Sequence, residues 1–240
     1  MSRDRPMYPE VAADALAWVT TDQMRTVDRV MTQDLRIELI QMMENAGRSL
    51  ARLVRERFSP ASVAVYVGSG GNGGGGLVAA RHLANAGVDV TVVLAPHRAD
   101  MRGVPADQLD IVDRMDVPVV DDPVDVDLAI DALVGYSLVG DLRGRVADLV
   151  AGTRRASLVV ALDGPSGVDT TTGRVGVPAV EADATLTLAM PKAGLRGTTA
   201  AGELYLADIS VPRSVFVGLG VPADRTPDWS AGSILRVVGD

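Results

Sequence analysis

The sequence predicts an α/β fold of three layers, in which helices cover both faces of a mostly parallel central sheet. From Ser62 onward, short apolar segments alternate with segments of helical spacing, as in parallel βαβ units. The composition agrees, because 47% of the residues are hydrophobic and only 3% are aromatic. A core of Val, Leu, Ala and Met suits a sheet that is buried on both faces. A glycine run directly after the first apolar segment makes the pattern Rossmann-like.

Two helices are predicted before the first of these strands. Thr20 and Gln23 have the spacing of a capping box, and an apolar stripe that begins at Met24 follows at helical spacing. A second stripe of the same spacing lies within residues 39–53. The methionines of both helices are expected in the core, where their flexible side chains fill gaps. Residues 1–19 are predicted to be an N-terminal extension.

Seven strands and three further helices are predicted in the rest of the chain. The strands are predicted at 63–67, 88–94, 117–120, 126–130, 157–162, 184–189 and 203–207, and the helices at 76–86, 105–115 and 143–153. No internal repeat or low-complexity linker separates them. A single domain is therefore predicted over residues 1–240, with residues 213–240 as a C-terminal tail on its surface.

Charge and composition exclude several classes of partner. The formal net charge of −8 disfavours nucleic acid and anionic membranes. No apolar run approaches the roughly 18 residues of a membrane span. The first residues lack the apolar region of a signal peptide, and the chain has no cysteine, which fits a reducing compartment. A cytoplasmic location is the resulting expectation.

The glycine run predicts a site for a nucleotide-like ligand. Between Gly70 and Gly76, six of the seven residues are glycine, and the exception is Asn72. Such a turn leaves room for a ligand, and the free N–H groups at a helix start attract anions. Gly68 and Gly73 also complete a dinucleotide fingerprint. The next strand lacks the carboxylate that binds ribose, which disfavours an NAD-dependent dehydrogenase. A tight turn without a ligand remains the alternative.

Polar side chains follow four of the predicted strands, at the sheet edge where ligands collect in such folds. They are Asn72, Asp131, Asp163 and Lys192. Asp163 directly follows an apolar strand, so partial desolvation makes it a candidate acid or base. Lys192 is the only lysine of the chain, and its tunable ammonium differs from the fixed charge of the arginines. Each of these residues, taken alone, would also suit a solvated loop.

The oxygen donors of this set suit an alkali cation. Asn72, Asp131 and Ser166 offer only hard oxygen atoms with a single formal charge. Zinc would require histidine or cysteine ligands. The two histidines, His82 and His97, give no support to a histidine metal site or a Ser-His-Asp triad.

These residues resemble a known family, the NAD(P)H-hydrate epimerases, whose domain is also called the YjeF N-terminal domain. The similarity runs from about Thr21 to Pro212. It is carried by eight ordered blocks, at Met24–Arg29, Met43–Gly47, Gly68–Leu83, Asp131–Gly135, Asp163–Asp169, Ala182–Thr185, Pro191–Gly194 and Ala207–Ile209.

The resemblance implies repair of hydrated NADH and NADPH by epimerisation of the R hydrate to the S hydrate. It also implies a homodimer, a separate dehydratase as pathway partner, and one potassium ion per subunit at Asn72, Asp131 and Ser166. Asp163 would be the acid or base, and Lys192 would be a second catalytic residue. Substrate contacts would come from Gly70, Gly71, Asn72, Gly73, Gly74, Gly75, Gly135, Tyr136, Ser137, Leu138 and Asp163.

The chain departs from the family pattern in two loops. Where the family usually has Asn-Asn-Gly-Gly-Asp-Gly, the first Asn and the Asp are replaced by Gly71 and Gly75. In the loop that begins at Gly135, the family's Gly-x-Gly is also missing, and Arg143 is a candidate for the family's arginine at a different spacing. The alternative is therefore a nucleotide-binding or scaffolding paralogue without turnover. A kinase or reductase is disfavoured, because a Walker lysine and a ribose-binding acid are absent.

Overall fold

A computed structural model describes residues 7–138 and 140–239, and nine strands in these ranges form one sheet. The strands are β1 (Glu10–Ala12), β2 (Ser62–Val67), β3 (Asp89–Leu94), β4 (Val119–Val120), β5 (Val126–Ala132), β6 (Ala156–Leu162), β7 (Ala184–Leu188), β8 (Glu203–Ala207) and β9 (Ile234–Val238). The helices are α1 (Thr21–Arg29), α2 (Leu39–Leu53), α3 (Gly71–Asn85), α4 (Gly103–Arg114), α5 (Gly144–Thr153) and α6 (Arg213–Gly218). Within the described ranges, no helix is long and apolar enough to cross a membrane.

The strand order creates a crevice between β2 and β5. The order is β1-β9-β8-β7-β6-β5-β2-β3-β4, and all neighbours are parallel except β8 and β9. The chain proceeds from β2 to β4 on one side, and then from β5 to β8 on the other. Beyond the carboxyl ends of β2 and β5, where this order reverses, α/β sheets form ligand sites. The predicted fold class, a mostly parallel sheet preceded by two helices, is confirmed.

Helices cover both faces of the sheet, which gives the three predicted layers. On one face, Val65 of β2 lies in a cluster with Leu77 of α3 and with apolar side chains of α2 and α4. On the other face, Tyr66 packs in a cluster with α5 and donates a hydrogen bond to the carbonyl of Gly152 at 2.7 Å. Each fully buried Val or Leu of such a core contributes about 1.5–3 kcal/mol.

The prediction of a surface tail over residues 213–240 is wrong, and the N-terminal extension is also part of the sheet. β1 of the extension pairs in parallel with β9 of the tail, with Glu10 opposite Arg236. β9 in turn pairs antiparallel with β8, and its Ile234 is buried. Tyr8 is also buried, and its ring meets that of Tyr205 edge-on with centroids 5.6 Å apart. The two termini therefore extend the sheet, because each supplies the other with backbone partners.

The glycine run is helical, which corrects the predicted loop and the predicted helix start at residue 76. α3 begins at Gly71, and no residue of the described range 70–76 has a positive φ. The glycines instead allow close packing. A Cβ at Gly73 would lie 1.9 Å from the carbonyl oxygen of Gly68, and one at Gly76 would lie 2.5 Å from Cβ of Ala132. The first turns of α3 can therefore lie directly on the ends of β2 and β5.

Candidate active site

A cavity of about 610 Å³ opens beyond the carboxyl ends of the central strands. Its volume is in the range of about 300–1,000 Å³ that is usual for small-molecule sites. The predicted site residues that line it are Gly70, Gly71, Asn72, Gly75, Gly135, Tyr136, Ser137, Asp163 and Lys192. The structure therefore brings together side chains and backbone from the ends of β2, β5, β6 and β7, as the sequence predicted.

Some predicted residues lie away from the cavity wall. Among the described residues, Gly73, Gly74 and Leu138 do not line it, although the sequence placed them among the substrate contacts. Gly73 faces the backbone of Gly68, and a Cβ at Gly74 would lie 2.7 Å from Sδ of Met43. These two glycines therefore permit close packing of α3 against Gly68 and Met43.

The start of α3 presents backbone donors to the cavity. Its N-cap residue, Gly70, provides no side-chain hydrogen bond to the helix. A Cβ at Gly70 would have no neighbour within 4 Å, so the space in front of the helix is open. Uncapped N–H groups and the positive end of the helix dipole attract anions. The same wall contains Arg143, whose guanidinium has no hydrogen bond or ion pair within residues 7–138 and 140–239.

Asp163 and Lys192 form a buried ion pair in the cavity wall. Asp163 is 4% exposed and Lys192 is 0% exposed, and Nζ of Lys192 donates a hydrogen bond to Oδ1 of Asp163. Nζ also donates to the carbonyl of Leu188 at 2.8 Å. The backbone N–H groups of Leu188 and Tyr136 donate to the Asp163 carboxylate at 3.2 and 3.4 Å. Each ion compensates the desolvation of the other, so removal of one partner would leave a buried charge.

The backbone at Asp163 is strained. Its φ of +67° lies in the left-handed region, which costs a non-glycine residue about 1–3 kcal/mol. Asp163 directly follows β6, and the turn directs its carboxylate back over the sheet end toward Lys192. The hydrogen bonds to this carboxylate hold the strained residue in place, and such strain is common at active sites.

Asp131 and Ser166 lie outside the described lining of the cavity, to which Asn72 belongs, and their assignment as ion ligands stays a prediction. Asp131 is fully buried in β5, where its Oδ1 accepts hydrogen bonds from Oγ of Ser166 at 2.7 Å and the N–H of Leu133 at 3.2 Å. Its Oδ2 accepts the N–H of Ser166 at 2.7 Å. Desolvation raises the pKa of Asp131 to about 6. Oγ of Ser166 also accepts the N–H of Val134 at 2.9 Å, so this pair fixes the loop that enters the cavity.

Asn72 packs closely against this loop. A Cβ at Gly135 would lie 3.1 Å from Cγ of Asn72, which explains why glycine occupies that position. Nδ2 of Asn72 is buried and has no hydrogen-bond partner among the described residues. The part of the chain that the structure describes has no cluster of three His, Cys, Asp or Glu residues that would hold a metal. Amide and hydroxyl oxygens with one buried carboxylate would instead suit a monovalent cation.

Sequence reasoning missed Asp28, which also lines the cavity. The phenol of Tyr136 donates a hydrogen bond to Oδ2 of Asp28, and burial raises the pKa of this carboxyl group. The proximity of Asp163 adds to this increase, whereas Lys192 opposes it. The available signal was that Asp28 lies four residues after the buried Met24, on the inward face of α1.

Comparisons with known sequences identify the family. Residues 39–194 match the family described as YjeF-related protein N-terminus. The NAD(P)H-hydrate epimerase of Dehalogenimonas lykanthroporepellens is 40% identical, over 96% of this chain and 96% of its own length. The NAD(P)H-hydrate epimerase of Rhodopirellula baltica is 34% identical over 81% of this chain and 84% of its own. The bifunctional NAD(P)H-hydrate repair enzyme Nnr of Hyperthermus butylicus is 38% identical over 84% of this chain but only 41% of its own.

A solved structure supports the fold. The crystal structure of yeast ynu0, YNL200c, superposes with a TM-score of 0.81 over 92% of this chain and 100% of its own, at 24% identity. At this identity the likeness concerns the architecture alone. The family match and the sequence relatives cover most of the chain, and the resemblance found in the sequence is thereby confirmed. The chain belongs to the YjeF-related protein N-terminus family.

Proposed function

We propose that this protein is an isomerase that epimerises hydrated NADH and NADPH, so that the R hydrate becomes the S hydrate during cofactor repair. The observation that carries the proposal is the buried Asp163–Lys192 pair in the wall of a nucleotide-sized cavity. Relatives of similar length carry the name NAD(P)H-hydrate epimerase. A charged pair and an anion-attracting helix start in one cavity match a ligand that has both phosphates and a reactive ring.

The start of α3 is the proposed binding site of the diphosphate. Gly70 and Gly71 line the cavity, and Arg143 also lines it without a partner in the described chain. An anion in contact with both would gain hydrogen bonds from the backbone N–H groups and charge-assisted ones from the guanidinium. The reactive ring would then lie deeper, against Asp163 and Lys192.

Asp163 is the proposed proton carrier of the reaction. When the hydroxyl group leaves the ring carbon, the C–O electron pair departs with the oxygen, and the lone pair of the ring nitrogen forms a C=N bond. A proton passed through the Asp163–Lys192 pair converts the departing hydroxyl to water. The Asp163 carboxylate also stabilises the cationic ring, because it is preorganised in a buried setting. Addition of water to the opposite face restores the nitrogen lone pair and inverts the carbon.

A potassium ion is the proposed ligand of Asn72, Asp131 and Ser166. The buried carboxylate of Asp131, whose hydrogen bonds come only from neutral donors in the described chain, fits such an ion, and the amide oxygen of Asn72 would be a second ligand. A bound cation would compensate the charge of Asp131 and hold the loop at Gly135 against α3. The chain's own residues carry the proton transfers.

We further propose a homodimer in the cytoplasm that works with a separate NAD(P)H-hydrate dehydratase. The bifunctional repair enzymes among the relatives are more than twice as long as the region they share with this chain, which supports a second activity beside this domain.

Incubation with R-hydrated NADPH, followed by chromatography of the two epimers, tests the proposal. The protein is expected to accelerate epimerisation above the uncatalysed rate, and Asp163→Asn is expected to reduce the acceleration about 10²–10⁴-fold. Asp22→Asn is the matched control, because Asp22 is exposed and lies outside the described cavity wall. Binding of the hydrate without acceleration would instead favour a nucleotide-binding module, the alternative suggested by Gly71 and Gly75.

A further inference from the structure

Tyr136 connects two carboxylates in the cavity. Its backbone N–H donates to Oδ2 of Asp163 at 3.4 Å, and its phenol donates to Oδ2 of Asp28. The carbonyl of Tyr136 accepts hydrogen bonds from Oγ1 of Thr21 at 3.1 Å and from Oγ1 of Thr170 at 3.3 Å. The backbone of Tyr136 is thus fixed, and one tyrosine side chain separates the two carboxylates.

Asp28 has no partner that would explain it as part of a structural ion pair. Within residues 7–138 and 140–239, its carboxylate is hydrogen-bonded to Tyr136 and forms no salt bridge. The charged groups near the Asp28–Tyr136 pair are Asp163, Lys192 and Arg25. A partly buried carboxylate that opens on a cavity, and whose side-chain hydrogen-bond partner in the described chain is a phenol, is suited to exchange protons with a ligand.

The reaction itself calls for a second proton carrier. Inversion of a hydroxyl-bearing ring carbon requires departure of water from one face and addition of water to the other. Asp163 is fixed by Lys192 and by two backbone N–H groups, so it can serve only the face that it contacts. Proton transfer in a transition state requires a group within hydrogen-bond reach of the reacting oxygen. A group on the opposite side of the ring is therefore needed.

We infer that Asp28, with the phenol of Tyr136, is the proton carrier for the ring face opposite Asp163. The inference rests on the proposed function. After water has left on the Asp163 side, a second water attacks the same carbon from the Asp28 side. The new C–O bond forms as the C=N electron pair returns to nitrogen, and Oη of Tyr136 accepts the water proton while the phenol proton passes to Asp28. Solvent in the open cavity returns the proton, and the reverse reaction exchanges the two roles.

Epimerisation in ¹⁸O-labelled water tests this assignment. Chromatography separates the epimers, and the mass of each reports oxygen exchange with and without inversion. In Asp28→Asn and Tyr136→Phe, Asp163 can still expel water and add it again on its own face. We therefore expect inversion to fall about 10²-fold or more, while exchange with retention falls less than about threefold. Asp163→Asn should lose both.

The ratio of the two rates distinguishes proton transfer from a structural role. A parallel decrease of inversion and exchange in the Asp28 and Tyr136 variants would overturn the inference, because it would indicate a general disturbance of the site. Unchanged inversion in either variant would also overturn it. Asp22→Asn on the same helix is the control, and denaturant unfolding shows whether the variants are folded. If the wild-type protein does not epimerise the hydrate, the proposed function fails first, and this inference fails with it.

Discussion

The start of α3 and the Asp163–Lys192 pair contribute to the same cavity in different ways. α3 presents backbone N–H groups on a helix whose glycines are set by packing, so its binding groups do not depend on side chains. The pair presents two buried side-chain charges that depend on each other. This difference is consistent with the residues found in the two regions. Glycine stands at positions 71 and 75, where the resemblance predicts polar side chains, whereas both members of the ion pair are present.

Removal of one partner of the buried pair should have the largest effect. Lys192→Met leaves the Asp163 carboxylate buried and without a cation, so the free energy of unfolding should fall by about 3–5 kcal/mol. Urea unfolding measures this difference. Arg25→Met, which breaks the exposed pair of Arg25 and Asp22, is the control and should cost less than about 1 kcal/mol. Equal costs for the two variants would show that burial does not increase the contribution of this ion pair to the free energy of unfolding.

A potassium ion bound by Asn72, Asp131 and Ser166 should hold α3 against the loop that enters the cavity. Potassium at about 100 times its dissociation constant should raise the free energy of unfolding by about 2.7 kcal/mol relative to choline. Asp131→Asn should abolish the increase, because the amide lacks the negative charge that would hold the cation in a buried site. Thermal unfolding at constant ionic strength measures both proteins. An equal response of Asp131→Asn to potassium would exclude Asp131 as a ligand.

Substitutions at two glycines can test the packing of α3 separately from the surface that it presents to the cavity. Gly73→Ala places a Cβ against the carbonyl oxygen of Gly68, so we expect a loss of about 1–3 kcal/mol in the free energy of unfolding. Gly70→Ala is the matched control, because its Cβ would enter open space, and its cost should stay within about 0.5 kcal/mol. If Gly73→Ala proved as stable as Gly70→Ala, the glycines would not be explained by packing.

The sequence predicted the central sheet because apolar β-branched runs and helical stripes are local signals. The capping box at Thr20 is present, and the strand at residues 203–207 has the predicted bounds. β1 and β9 were missed because each is short and is stabilised mainly by pairing with distant residues, as Glu10 does with Arg236. Local patterns contain no information about such partners.

For the candidate site as well, the residues that follow a strand could be placed from the sequence, and a residue that depends on distant contacts could not. Asp163 follows a strand directly, so its place at the sheet edge was readable from the pattern. Asp28 lies within a helix, where an aspartate usually indicates a solvated face. Its spacing from Met24 indicates the inward face of α1, but its contact with Tyr136, 108 residues away in the chain, cannot be read from the local pattern. The helical glycines were missed because packing against β2 and β5 outweighs the low helix propensity of glycine, about 1 kcal/mol per residue.

The smallest expected effect concerns the two glycines, Gly71 and Gly75, at which the sequence departs from the resembled pattern. Gly71→Asn restores a polar side chain at an exposed position, where the nearest atom to a Cβ is Cε of Met43 at 3.7 Å. Stability should change by less than about 0.5 kcal/mol, because nothing has to move. One added hydrogen bond to the nucleotide would be worth about 0.5–1.5 kcal/mol, so KM for the hydrate should fall by no more than about tenfold.

Gly75→Asp introduces the second polar residue of the resembled pattern, and its effect on stability can be compared with that of Gly71→Asn. A Cβ at Gly75 would lie 2.9 Å from Cδ2 of Leu162, so this variant must displace a core side chain and should lose stability, unlike Gly71→Asn. If Gly71→Asn instead raised kcat many-fold, the start of α3 would depend on side chains after all. The backbone donors of the helix would then be insufficient for this substrate, and the difference between the two regions of the cavity would disappear.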